Sequence, residues 1–248
     1  MANPALMDKR ISQLETASAT ERPMSRLGVQ KALGIFVVFL LIGGYFGWHQ
    51  GDAELLSGHT SATMMVSILV AFGLAMLICA KPKLARVVGI AYSLLEGFAL
   101  GLISAVYNAQ YHGIVIDAVG VTVAVALSVW FLYGTGIIKV TAKTTRVISM
   151  AVIGAMVFYG LSLLSMLFGG SGFDSSGGVL GIGISLVLAV IAASTFLIDF
   201  DRIDKMIAAN ADAQYDWYGA FGLLVSMVWL YLEILNVLGK ARGGGIRR

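Results

Sequence analysis

Long apolar runs separated by short polar stretches set the pattern of this chain. They fall near residues 32–48, 62–80, 87–107, 118–138, 147–168, 178–199 and 218–239. A helix rises about 1.5 Å per residue and a bilayer's hydrocarbon core is about 30 Å thick, so runs of roughly 20 residues can cross it. The pattern predicts an all-α, polytopic membrane protein with seven spans. No long polar linker divides the chain, so one bundle is expected. Its parts are a polar tail over 1–31, a membrane domain over 32–240 and a short basic tail over 241–248. The first run begins too late for a cleaved signal peptide. Residues 8–15 fit an interfacial helix within an otherwise mobile tail.

Composition narrows the class. Charged residues are 12% of the chain and hydrophobic ones 58%, whereas a soluble domain carries about 25% charged residues. The net charge of +3 does not point to nucleic acid, because the basic residues flank apolar runs and form no patch. The lone Cys79 excludes an intramolecular disulfide or a cysteine-based metal cluster and reads as packing. His49, His59 and His112 all fall in loops and lack the spacing that puts two imidazoles on one helix face. No P-loop, nucleophile elbow or zincin motif is present, and no span interior holds a histidine. An enzyme is therefore not expected.

Lys and Arg set the orientation. They occur in the tail and in loops 81–86, 139–146 and 200–217, and are missing from loops 49–61, 108–117 and 169–177. Positive charge marks the cytoplasmic side, so the N-terminus is expected inside. Seven crossings then put Lys240, Arg242, Arg247 and Arg248 outside, against the rule. Either the seventh span is re-entrant or hidden in the bundle, or its tail crosses despite its charge; seven full spans is the reading adopted. Gly43, Gly44, Gly97, Gly101, Gly181 and Gly183 lie within spans, and Gly97-x-x-x-Gly101 is a pattern that lets helix backbones approach closely. The Gly/Ser group over 169–178 reads as a turn.

Three carboxylates stand at or near membrane depth: Glu96, Asp199 and Glu233. Each costs roughly 2.5–3.5 kcal/mol there on insertion scales unless it faces the bundle interior or a wet cavity. Asp199 reads equally as a solvated helix end, with Asp199–Arg202 and Asp201–Lys205 as ordinary surface pairs. Glu233 sits inside a fully apolar stretch and reads as a functional or specifically paired group. Glu96 either lines the same cavity or bonds a neighbouring helix. With a turn centred near 212, Asp199 is 13 residues from it and Glu233 is 21, a mismatch of about 12 Å along antiparallel helices.

Three segments carry a resemblance: Glu96-Gly97, Asp199-Phe-Asp-Arg-Ile203 and Leu230-Tyr-Leu-Glu233-Ile-Leu-Asn236. Over about 32–240 the chain resembles the Bax inhibitor-1 family, the transmembrane Bax inhibitor motif group, and its bacterial branch most closely. The resemblance implies a bundle in which two layers of three helices wrap a central seventh. It implies a pH-sensitive calcium leak whose proton sensor is a pair of acids, falling here on Asp199 and Glu233. The second is usually Asp in the family. Glu96 is a further candidate on the ion pathway. A basic partner before helix three falls on Arg86, with Lys83 and Lys81 behind it. The polar loop six looks longer than in compact relatives.

The expected function is thus a passive, proton-modulated cation leak in the cell (inner or plasma) membrane. Asp199 and Glu233 would share a proton when closed and offer weak, transient oxygen ligands to calcium when open. No cofactor is expected besides calcium as permeant ion; lipid, calcium and protons are the partners. The alternative is a non-transporting regulator that binds a membrane protease or another integral protein through its N-terminal tail.

Overall fold

The computed structural model describes residues 22–57, 60–168 and 178–245. Seven long helices run through them: α1 Arg26–Ser57, α2 Thr60–Ala80, α3 Ala85–Gln110, α4 Ile114–Gly134, α5 Ala142–Leu167, α6 Gly178–Ala208 and α7 Tyr215–Gly245. A 3₁₀ turn, Pro82–Leu84, leads into α3. All seven are long and apolar enough to cross a membrane. The expected interfacial helix over 8–15 and most of the Gly/Ser turn lie outside the described residues.

Three boundaries differ from the hydropathy reading. Helix α1 starts six residues before the expected 32, α6 continues nine residues beyond Asp199, and α7 starts three residues before the expected 218 and ends six beyond the expected 239. Apolarity marks lipid depth, whereas a helix continues for as long as its backbone bonds and propensities allow. The long loop six is therefore mostly helix. Only residues 209–214 connect α6 to α7, and Asp199 is not a helix end.

Residues 22–25 are strapped to this connection rather than forming part of a loose tail. The Met24 N–H donates to the Ala211 carbonyl (2.7 Å) and the Ala213 N–H to the Arg22 carbonyl (2.8 Å). The Ser25 N–H donates to Asp216 Oδ1 at 3.0 Å. The Ser25 hydroxyl accepts the Gly28 N–H at 3.0 Å, which caps the start of α1. Arg26 then grips Asp204 of α6 through Nε and Nη2, both at 2.9 Å.

Helices α1 and α3 meet backbone to backbone. A methyl added at Gly43 would sit 2.1 Å from the Leu94 carbonyl oxygen, and one at Gly97 would sit 2.0 Å from that of Leu40. Gly47 and Gly101 are equally tight against Phe98 and Gly44. The Gly97-x-x-x-Gly101 pattern is thus a packing device. Cys79, read as a packing residue, is instead exposed, because α2 rests chiefly on α3 and turns its other face outward.

Helix α7 is the axis of the bundle. It packs against α1, α3, α4 and α6, and Leu224, Leu230 and Leu235 along it are almost fully buried. The Tyr231 and Ser104 hydroxyls tie it to α3 at 2.6 Å. Near its end Arg242 pairs with Asp117 of α4 and donates to the His112 carbonyl at 3.0 Å. That end therefore lies beside the α3–α4 connection, across the bundle from the strapped N-terminal segment. Helix α7 is one continuous helix, long and apolar enough for a full crossing.

Candidate functional site

The seam between α6 and α7 carries the polar groups. Asp199 Oδ2 accepts the Ser226 hydroxyl at 2.5 Å, and Ser226 accepts the Thr195 hydroxyl at 2.9 Å. Farther along, Lys240 Nζ donates to the Ser185 hydroxyl at 2.7 Å. Both cross-helix pairs obey one antiparallel register, since 199 and 226 sum to 425, as do 185 and 240. In that register Glu233 stands opposite Ala192, whose side chain is fully buried.

Ser226, Glu233 and Lys240 are spaced seven apart. Seven residues turn a helix by almost two full turns, so the three share one stripe, and it faces α6. Small residues on α6 let the two helices lie close. The stripe thus carries a carboxylate–hydroxyl pair, a buried carboxylate and an ammonium in succession.

Glu233 is 3% exposed. Its Oε1 accepts the Trp229 indole N–H at 2.9 Å and the Tyr159 hydroxyl of α5. These bonds join α5 to α7 directly. Charged-group hydrogen bonds of this kind contribute about 1.5–3 kcal/mol each, comparable to the cost of placing a carboxylate at depth. Sequence reasoning missed Tyr159, Trp229, Ser226 and Thr195. Trp229 lies four residues before Glu233 and Ser226 seven before it, so helical spacing alone could have flagged both. Tyr159 is brought in from another helix, and no local signal reveals it.

Asp199 and Glu233 both belong to this seam but at different depths. The group bonded to Asp199 lies seven residues before Glu233, about 10 Å along the axis. The 212 turn centre used above agrees with the observed register. Glu96 lies elsewhere. It shares a side-chain hydrogen bond with Tyr92, whose ring meets Phe221 edge-on at 5.1 Å. Phe221 is five residues from Ser226, about 140° round α7, so this contact is on another face. Arg86 reaches α7 but stacks over the Trp217 ring, 5.5 Å from its centroid. Asp201 pairs with Lys205 at 2.5 Å, as expected of a surface pair. Among the described residues no group of three or more His, Cys, Asp or Glu side chains could hold a metal ion.

Fold and seam define a polytopic helical membrane protein with ionisable groups inside its bundle. The family described as Bax inhibitor 1 like matches residues 3–243, and the chain belongs to that family. Comparison with curated proteins and with solved structures returns no match.

Proposed function

We propose that the chain is a passive, proton-modulated cation leak with calcium as its cargo and the α6–α7 seam as its gate. The observation that carries this reading is the polar stripe of α7, in which buried Glu233 follows the Asp199–Ser226 contact on the face turned to α6. The two acids sit about 10 Å apart in depth along α7, each with its own donors, so in this reading they take up protons as separate sites and do not share one.

The mechanism is electrostatic. In the closed form Asp199 holds α6 to α7 through Ser226, and Glu233 holds α7 to α5 through Tyr159. When both acids are ionised, two like charges about 10 Å apart repel by about 1–2 kcal/mol at an effective dielectric near 20. That shifts a near-balanced equilibrium about tenfold and no more. The gate is then a modest bias and not an all-or-none lock. Once parted, the seam offers two carboxylates with Ser226 and Thr195 hydroxyls, oxygen ligands of the kind a hard cation prefers. They are too few for the six to eight oxygens of a tight calcium site, which suits passage better than storage.

The test is calcium flux into proteoliposomes across a pH series, for wild type, Asp199→Asn and Glu233→Gln. Each amide should flatten the pH dependence. Full pH dependence in both variants would sink the mechanism. A second reading, regulation of another membrane protein, draws on the strap, since whatever grips the N-terminal tail would pull on the connection between α6 and α7. Loss of cellular function on deleting residues 1–21, with flux intact, would favour it.

A further inference from the structure

A small cavity lies near the strapped end of the bundle, apart from the Asp199–Glu233 stripe. Helices α1, α4, α6 and α7 line it, and its volume is about 80 Å³. Pockets for drug-sized ligands measure about 300–1,000 Å³, so this space suits only the head of a molecule whose remainder lies outside. Val29, Phe200, Ile203 and Leu223 form the apolar part of the wall.

Three donors stand around it. Arg26 spends Nε and Nη2 on Asp204, which leaves the Nη1 amino group for another acceptor. Gln30 follows Arg26 by four residues on the same face of α1. Trp130 brings an indole N–H from just before the last turn of α4, and the residue is about half exposed. Asp204 has its acceptor capacity drawn on by Arg26 and by the Tyr133 hydroxyl, at 2.8 Å. It fixes the guanidinium and offsets its charge, so what the rim adds for a ligand is the N–H donors of Arg26, Gln30 and Trp130. A cavity edged by donors calls for an anionic oxygen group.

Its position names the source of that group. Arg26 is the first residue of α1, and Trp130 and Tyr133 lie within the last turn and a half of α4. Tryptophan and tyrosine near span ends sit at headgroup level, which is the depth of lipid phosphates.

We infer that this cavity holds the phosphate of a membrane phospholipid, bound by Arg26, Gln30 and Trp130, with the acyl chains lying outside against the bundle. A bound lipid would then bridge α1 and α4 beside the Arg26–Asp204 pair and steady the strapped end of α6.

The experiment is native mass spectrometry of the full chain, delipidated in detergent and titrated with dioleoyl phosphatidylglycerol, with dioleoylglycerol, or with inorganic phosphate. Arg26→Ala would also break the Asp204 pair, so the diagnostic variants are Gln30→Leu and Trp130→Phe, which leave that pair in place. Phosphatidylglycerol should bind wild type one to one, and each variant should bind it about tenfold more weakly, the loss of one hydrogen bond to a charged group. Dioleoylglycerol should not compete for the site. Equal binding by wild type and both variants would overturn the assignment. So would equal binding of the phosphate-free lipid, or binding of inorganic phosphate at this site in preference to the lipid.

Discussion

Replacing Gly97 by alanine tests the α1–α3 contact most sharply. The new methyl would lie 2.0 Å from the Leu40 carbonyl oxygen and 2.8 Å from its carbon. A carbon–oxygen contact needs about 3.3 Å, so the helices must part by about 1.3 Å. Backbone cannot swing aside as a side chain can. The separation would also loosen the contacts at Gly43, Gly47 and Gly101, which share the same seam. Overpacking costs about 1–3 kcal/mol, and the upper half of that range applies here because the obstacle is main chain. Alanine returns about 0.8–1.0 kcal/mol in helix propensity. The net loss is about 1–2 kcal/mol, which lowers Tm by about 2–8 °C for a chain of this size. Gly120 of α4 is the control, since nothing lies within 4 Å of a methyl there. Gly120→Ala should raise Tm by a few degrees through propensity alone, about 1 kcal/mol. Thermal unfolding of the two variants in one detergent provides the assay. A Gly97→Ala protein as stable as Gly120→Ala would refute the backbone contact.

Other perturbations follow from the same contacts. Tyr159→Phe removes a donor to Glu233 and should cost about 1–3 kcal/mol, read as a lower unfolding midpoint. Ser226→Ala frees Asp199 from α7 and should raise flux at mildly acidic pH, where the closed form otherwise dominates; unchanged acidic flux would remove that bond from the gate. Gly113 sits at φ 79° with open space around it, so Gly113→Ala should cost about 1–2 kcal/mol from conformation alone; a neutral result in thermal unfolding would contradict this. Arg26→Ala breaks an ion pair whose arginine side chain is 72% exposed and should change stability by less than about 1 kcal/mol, while trypsin should cut the strap faster.

The seven helices were legible in the sequence because lipid imposes one rule on every span: about 20 apolar residues whose backbone bonds are satisfied internally. Helix ends were not, because Arg26, Asp204 and Lys205 are polar yet helical and hydropathy stops short of them. Glu233 was legible as a carboxylate amid apolar neighbours, and Gly97 with Gly101 as a close approach. What the chain order conceals is the partner brought in from elsewhere. Tyr159 reaches Glu233 from a helix 74 positions away, and Arg86 finds the Trp217 ring rather than a carboxylate. The offset between Asp199 and Glu233 was countable beforehand, since antiparallel register follows from where the turn falls.

The central claim is that ionisation of the α6–α7 stripe controls cation passage. Calcium entry into proteoliposomes tests it most directly, with wild type and Glu233→Gln compared at mildly acidic and mildly alkaline pH. The account predicts faster entry into wild-type vesicles at alkaline pH and a much smaller pH difference in the variant. No entry above that of empty vesicles at either pH, from protein shown to be folded, would contradict it and leave Glu233 as a group that joins α5 to α7.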